Sequence, residues 1–103
     1  MPSIELIFDS DCPNTAAARA ALRDACQQAG VEPQWQEWDR GSADSPSHAR
    51  HYGSPTILVD GVDVAGAGTV SDAKACRLYR AADGSFAGTP ETASIARSLR
   101  RAT

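Results

Sequence analysis

The stretch TILVDGVDVAG, residues 56–66, decides the fold. Two β-branched runs flank Asp60-Gly61, the dipeptide that best tolerates the positive φ angles of a two-residue turn, so the segment reads as a β-hairpin. Further back, SIELIFD at 3–9 puts Ile4, Leu6 and Phe8 on one face and Ile7 on the other. That is the pattern of a central strand covered on both sides. Between these strands lies an alanine-rich run from Pro13 to Ala29. Ala18, Leu22, Ala25, Cys26 and Ala29 recur there at helical spacing and Gly30 stops the helix. Cys12 is expected as its N-cap and Pro13 as its first helical residue. PQWQEWD, 33–39, reads as an edge strand. Ser45, Pro46 and Gly53 bracket a short helix, as cap, opener and stop.

Beyond the hairpin, Ala73, Cys76 and Tyr79 or Arg80 suit a short helix opened by Ser71 or Asp72, with a strand at CRLY as the alternative. The chain closes on TPETASIARSLRR. Thr89 is expected to cap this last helix and Pro90 to open it, with Ile95 and Leu99 on one face. Arg97, Arg100 and Arg101 fall toward the negative end of its dipole.

A chain of 103 residues fits one domain over 1–103. A net charge of −3, a pI near 5.2 and arginines scattered along the chain argue against a nucleic-acid surface. The start lacks a positive n-region, and no apolar run approaches the roughly 20 residues of a membrane span. A cytoplasmic protein with neither nucleic-acid nor membrane partners is expected, and no cofactor. Three cysteines, Cys12, Cys26 and Cys76, are too few for a secreted disulfide scaffold. A disulfide here would be transient and catalytic.

The order strand, helix, strand, helix, hairpin, helix, with Cys-Pro at the first strand-to-helix junction, resembles the thioredoxin fold in its short glutaredoxin-like form. Two motifs carry the resemblance. CPNT at 12–15 stands where that superfamily has Cys-x-x-Cys or a one-cysteine Cys-x-x-Ser/Thr variant, and GSPTILVDG at 53–61 is similar to its cis-proline segment. With a downstream CRLYR, the chain is similar to small bacterial thioredoxin-like proteins, some of which carry names tied to mercury resistance. The resemblance covers nearly the whole chain. It implies an α/β fold with a four-stranded mixed sheet of order 2-1-3-4 flanked by helices. It also implies a thiol–disulfide oxidoreductase in which Cys12 is the nucleophile.

Within that resemblance each site residue has an expected part. A cis Pro55 would turn the Ser54 amide and carbonyl toward an extended substrate, and Thr56 would bring a hydroxyl near the sulfur. Pro13 stiffens the turn that carries the thiol. Thr15 fills the slot of the usual second cysteine, where its hydroxyl can donate to a thiolate but cannot resolve a mixed disulfide. Ser71-Asp72 partly matches the glutaredoxin segment that binds glutathione, displaced by Ala67-Gly68-Thr69-Val70. The expected partner is a protein or small-molecule thiol or disulfide, with glutathione one candidate.

A thiol at a helix N-terminus is favoured as thiolate by about 0.3–1 kcal/mol. The carboxylates of Asp9 and Asp11 oppose this. A carboxylate at about 7 Å acts by roughly 0.6 kcal/mol in water and up to about 2.4 kcal/mol at an effective dielectric of about 20, against a helix terminus that occasionally offers about 2 kcal/mol. The two effects nearly cancel.

Cys76 divides evenly between a resolving thiol that pairs with Cys12 and a core cysteine on a helix face. Cys26 reads as structural, because a continuous helix carries it about 20 Å from Cys12, beyond the disulfide limit of about 7 Å between Cα atoms. His48 and His51 have metal-like spacing without a cysteine or carboxylate pair beside them, so they read as exposed helix residues and no metal site is expected. Trp35, Trp38 and Tyr79 read as packing residues. Two other functions compete with exchange. One is a soft-metal or organomercurial protein ligating through Cys12 and Cys76; the other is a binding module that has kept the fold without turnover.

Overall fold

The computed structural model describes residues 2–65, 79–80 and 83–103. Strand β1 (Ile4–Phe8) is central. It pairs in parallel with β2 (Gln36–Asp39), with Ile7 opposite Trp38. It pairs antiparallel with β3 (Thr56–Val59), with Ile7 opposite Thr56. β4 (Val62–Asp63) completes a four-stranded mixed sheet of order β2-β1-β3-β4, the order expected from the sequence. Asp60 and Gly61 take φ of 51° and 80°, the two left-handed residues that the hairpin turn needs. Asp60 also fastens the turn to the start of β1. Its N–H donates to the Ser3 carbonyl and its Oδ1 accepts the Ser3 N–H, both at 2.8 Å.

Helices α1 (Thr15–Ala29) and α2 (Thr92–Ala102) pack on one face of this sheet. The α1 stripe Ala18, Leu22, Ala25 and Cys26 meets Ile4, Leu6, Ile57 and Val59 from the strands and Ile95, Ala96 and Leu99 from α2. Each Leu or Ile fully buried here contributes about 1.5–3 kcal/mol. Gly30, at φ 70°, ends α1 in the left-handed conformation, and the next N–H, of Val31, donates to the Cys26 carbonyl at 2.9 Å. On the opposite face Ile7 and Leu58 pack with Ala49 of a short 3₁₀ helix (Ser47–His51), flanked by Trp38 and Tyr52. Among the described residues no helix is long and apolar enough to cross a membrane.

Four local expectations are corrected. First, α1 starts at Thr15 with Asn14 as N-cap, so Cys12 is not the cap and Pro13 is not in the helix. Second, α2 starts at Thr92 with Glu91 as N-cap, and Thr89 does not cap it; the Thr89 hydroxyl is buried without a hydrogen-bond partner among the described residues. Third, Ser45 does not cap the 3₁₀ helix, whose N-cap is Pro46. Its hydroxyl donates to the Asp39 carbonyl at 2.7 Å, tying the segment to the end of β2 instead.

Fourth, Tyr79–Arg80 is not helical. It forms β5, paired antiparallel with β6 (Phe86–Ala87), which is the strand alternative for CRLY at its last residue. The cause is a turn signal at Asp83-Gly84-Ser85. Gly84 has φ 88°, and Asp83 Oδ1 accepts both the Ser85 N–H and its hydroxyl. Those two bonds hold the Asp83 carboxyl below the usual range. The remainder of the expected 71–80 helix lies outside the described residues.

Candidate functional site

At the end of β1 the chain makes two successive turns before it becomes helical. The Asp9 carbonyl accepts the Cys12 N–H at 2.9 Å, and the Cys12 carbonyl accepts the Thr15 N–H at 3.5 Å. Bonding of the helical kind begins only with Ala18 N–H to the Asn14 carbonyl at 3.0 Å. Cys12 sits between these turns, half-buried, with a free thiol. Pro13 beside it is exposed, whereas Thr15 is buried and its hydroxyl has no hydrogen-bond partner among the described residues.

The antiparallel register of β1 with β3 brings the segment before Thr56 to this same end of the sheet. There the Asp9 N–H donates to Ser54 Oγ at 2.8 Å, deep in the protein. One residue therefore holds both loops, the Cys12 turn through its carbonyl and the Ser54 loop through its N–H. The Ser54–Pro55 peptide bond is cis, the isomer that the resemblance implies. Thr56 turns its hydroxyl back into its own loop, donating to the Gly53 carbonyl at 2.6 Å. The Pro55 carbonyl accepts the hydroxyl of Tyr79, a buried residue of β5.

The electrostatic balance differs from the sequence estimate on both sides. Asp9 is buried, and Arg40 Nη1 lies 3.2 Å from each of its carboxylate oxygens. Arg40 is held in turn: its N–H donates to the Phe8 carbonyl at 2.8 Å and Nη2 reaches the Arg50 carbonyl at 3.4 Å. A carboxylate in contact with its counter-ion projects a much weaker field at Cys12 than a bare one. The dipole side shrinks too, since its effect falls off within the first turn of a helix and Cys12 stands three residues before Thr15. Asp11 is exposed.

A second wall of the Cys12 turn comes from the segment after β6. A Cβ on Gly88 would lie 2.2 Å from Asn14 Nδ2, so a larger residue there would have to displace the Asn14 side chain.

Cys26 is fully buried on α1, and burial pushes its thiol up. It is a core residue, as expected. Cys76, Ser71 and Asp72 lie outside the described residues, and with them the expected Cys12–Cys76 pairing and the partial glutathione match. His48 and His51 are exposed, and His48 Nε2 lies 2.8 Å from Glu5 Oε1. Among the described residues no group of three or more His, Cys, Asp or Glu side chains could hold a metal ion.

Sequence reasoning missed Arg40, Tyr79 and Gly88. Arg40 had a usable signal, because an aspartate ending a strand covered on both faces needs a cation nearby. Arg40 directly follows β2, the strand parallel to β1. Nothing local marks Tyr79 or Gly88. No family model matches the chain, nor does any curated protein or solved structure.

Proposed function

We propose that the chain is a thiol–disulfide exchange protein, a thioredoxin-like variant of the mixed sheet described above, with Cys12 as its nucleophile. The observation that carries this reading is the double backbone bond of Asp9, which holds a half-exposed free thiol and the Ser54–Pro55 loop at one end of the sheet. In the reaction the Cys12 thiolate attacks one sulfur of a disulfide. A new S–S bond joins Cys12 to one half, and the other half leaves as a thiolate and takes up a proton. The substrate disulfide is reduced and Cys12 is oxidised to the mixed disulfide. Thr15 cannot resolve that intermediate but carries a buried hydroxyl able to donate to sulfur. A second thiol therefore attacks the mixed disulfide, releases a new disulfide and returns Cys12 to the thiol form.

The test is mass-spectrometric mapping of the folded protein after brief exposure to cystamine. A cysteamine adduct is expected on Cys12, is lost in Cys12→Ser and is kept in Cys26→Ala. Adding a small thiol should then clear it, and an internal disulfide to Cys76 in the same map would identify Cys76 as the resolving group. A Cys12 that reacts no faster than a thiol in the unfolded chain would overturn the reading.

A further inference from the structure

The end of the sheet away from Cys12 carries a cleft that thiol chemistry does not use. Val59 pairs with Ile4 at the start of β1, so the hairpin turn lies at the opposite end of that strand from Phe8 and the Cys12 turn. There Val59, Asp60 and Val62 line a cleft of about 230 Å³ together with Ser98, Arg101 and Ala102 of α2. Val62 is paired with Val59, a residue of the helix-side core, and cross-strand partners share a face of the sheet. Val62 is nevertheless 67% exposed. An apolar side chain on the core side of the sheet is thus left open to solvent beside the last turn of α2.

Two opposite charges stand at this cleft, and neither has an ion-pair partner among the described residues. Asp60 accepts the Ser3 N–H through Oδ1, and Arg101 is exposed. An occupant carrying one sign of charge would meet a like charge as well as an opposite one. The fitting occupant brings an acid, a base and apolar surface together. A second copy of the chain brings all three, because across a two-fold axis any contact from residue i to residue j is repeated from j to i.

We propose that two copies of the chain associate across a two-fold axis at this cleft, each Asp60 meeting the Arg101 of the other copy and the two Val62 side chains sharing the space between α2 and the hairpin. The lining is small against the roughly 1,200–2,000 Å² that stable complexes bury, so the association is weak and depends on concentration. It is independent of thiol exchange, since the contact lies at the other end of the sheet and leaves each Cys12 turn clear.

Sedimentation equilibrium of the full chain, from micromolar to millimolar concentration, is expected to show a monomer–dimer equilibrium. Val62→Lys replaces the apolar contact by two like charges close to the axis and should weaken the dimer by at least about tenfold. Arg101→Glu turns both reciprocal pairs into acid–acid contacts and should weaken it by a similar factor. Both positions are exposed, so the variants should keep the fold, which circular dichroism checks. Arg97→Glu makes the same charge change on an exposed position of α2 outside the cleft and should leave the dimer within about twofold of wild type. A wild type that stays monomeric into the millimolar range overturns the proposal. So does a dimer that survives both Val62→Lys and Arg101→Glu, or one that Arg97→Glu weakens as much as Arg101→Glu does.

Discussion

The two faces of the sheet are built on different principles. On one, α1 and α2 press Leu22, Ala25, Ile95 and Leu99 onto Ile4, Leu6, Ile57 and Val59, and the contact is apolar throughout. On the other, the described cover is a single 3₁₀ helix whose Ala49 packs on Ile7 and Leu58. Polar side chains hold that cover down. Glu5 Oε1 accepts the Trp38 indole N–H at 2.9 Å and lies 2.8 Å from His48, and Arg40 links Asp9 to the Arg50 carbonyl. The first face supplies stability through non-directional burial. The second sets positions through directional bonds, and the Asp9 end of it carries Cys12 and Ser54. Substitutions on the first face should therefore act on folding, and those at the Asp9 end on folding and thiol reactivity together.

The sharpest way to break this contrast is Arg40→Met. It leaves the buried Asp9 carboxylate without its described counter-ion, an uncompensated charge that costs about 3–5 kcal/mol. Chemical denaturation should show that loss. Alkylation of Cys12 at neutral pH should also slow, because a bare carboxylate disfavours the thiolate. Adding Asp9→Asn to Arg40→Met should restore most of both. If the double variant recovers stability but not the alkylation rate, Arg40 acts on the sulfur other than through the charge of Asp9.

Next in size is a matched pair of core truncations. Leu22→Ala, between α1 and the sheet, should cost about 3–4 kcal/mol, because two helices and a sheet cannot close the cavity. Leu58→Ala should cost nearer 2 kcal/mol, since a five-residue 3₁₀ helix can settle onto the gap. Equal losses in urea unfolding would show that the second face is packed as rigidly as the first.

The smallest effect belongs to the rim. Arg19 bonds Glu37 through Nε and Nη2, both at 2.9 Å, and its guanidinium carbon lies 5.5 Å from the Phe8 ring centroid. The hydrogen bond from Arg19 lowers the Glu37 carboxyl below its ordinary value and raises the guanidinium above its own. A carboxyl depressed in the folded state stabilises fully above the ordinary glutamate range. That contribution fades as the pH falls through the depressed value. Both side chains are partly solvated, so screening keeps the gain to about 0.2–1 kcal/mol. Glu37→Gln should remove that amount at neutral pH and nothing at strongly acidic pH, so the stability difference between variant and wild type vanishes on the acid side. A difference that persists there would mean Glu37 acts through packing or its bond from Trp35 rather than through charge.

Residues 4–8, 15–29 and 56–63 settle their own conformations locally, and the sequence alone determined them. Alternation, helical spacing and the Asp60-Gly61 turn are properties of neighbours in the chain, whereas the sheet order, which the structure has, was implied by the resemblance that those elements and two short motifs carry. Only the tertiary structure decided what happens where distant segments meet. Cys12 lost its place at the helix cap to two consecutive turns that Asp9 anchors, and Thr89 lost its own to Glu91, behind which α2 starts at Thr92. Asp9, read as a bare charge, turned out to be neutralised by an arginine 31 positions away, and Tyr79, read as packing, donates to a carbonyl 24 positions away. Burial makes each of these polar groups find a partner, and the partner can lie anywhere along the chain that the fold brings within reach. Local pattern carries no information about which one that is.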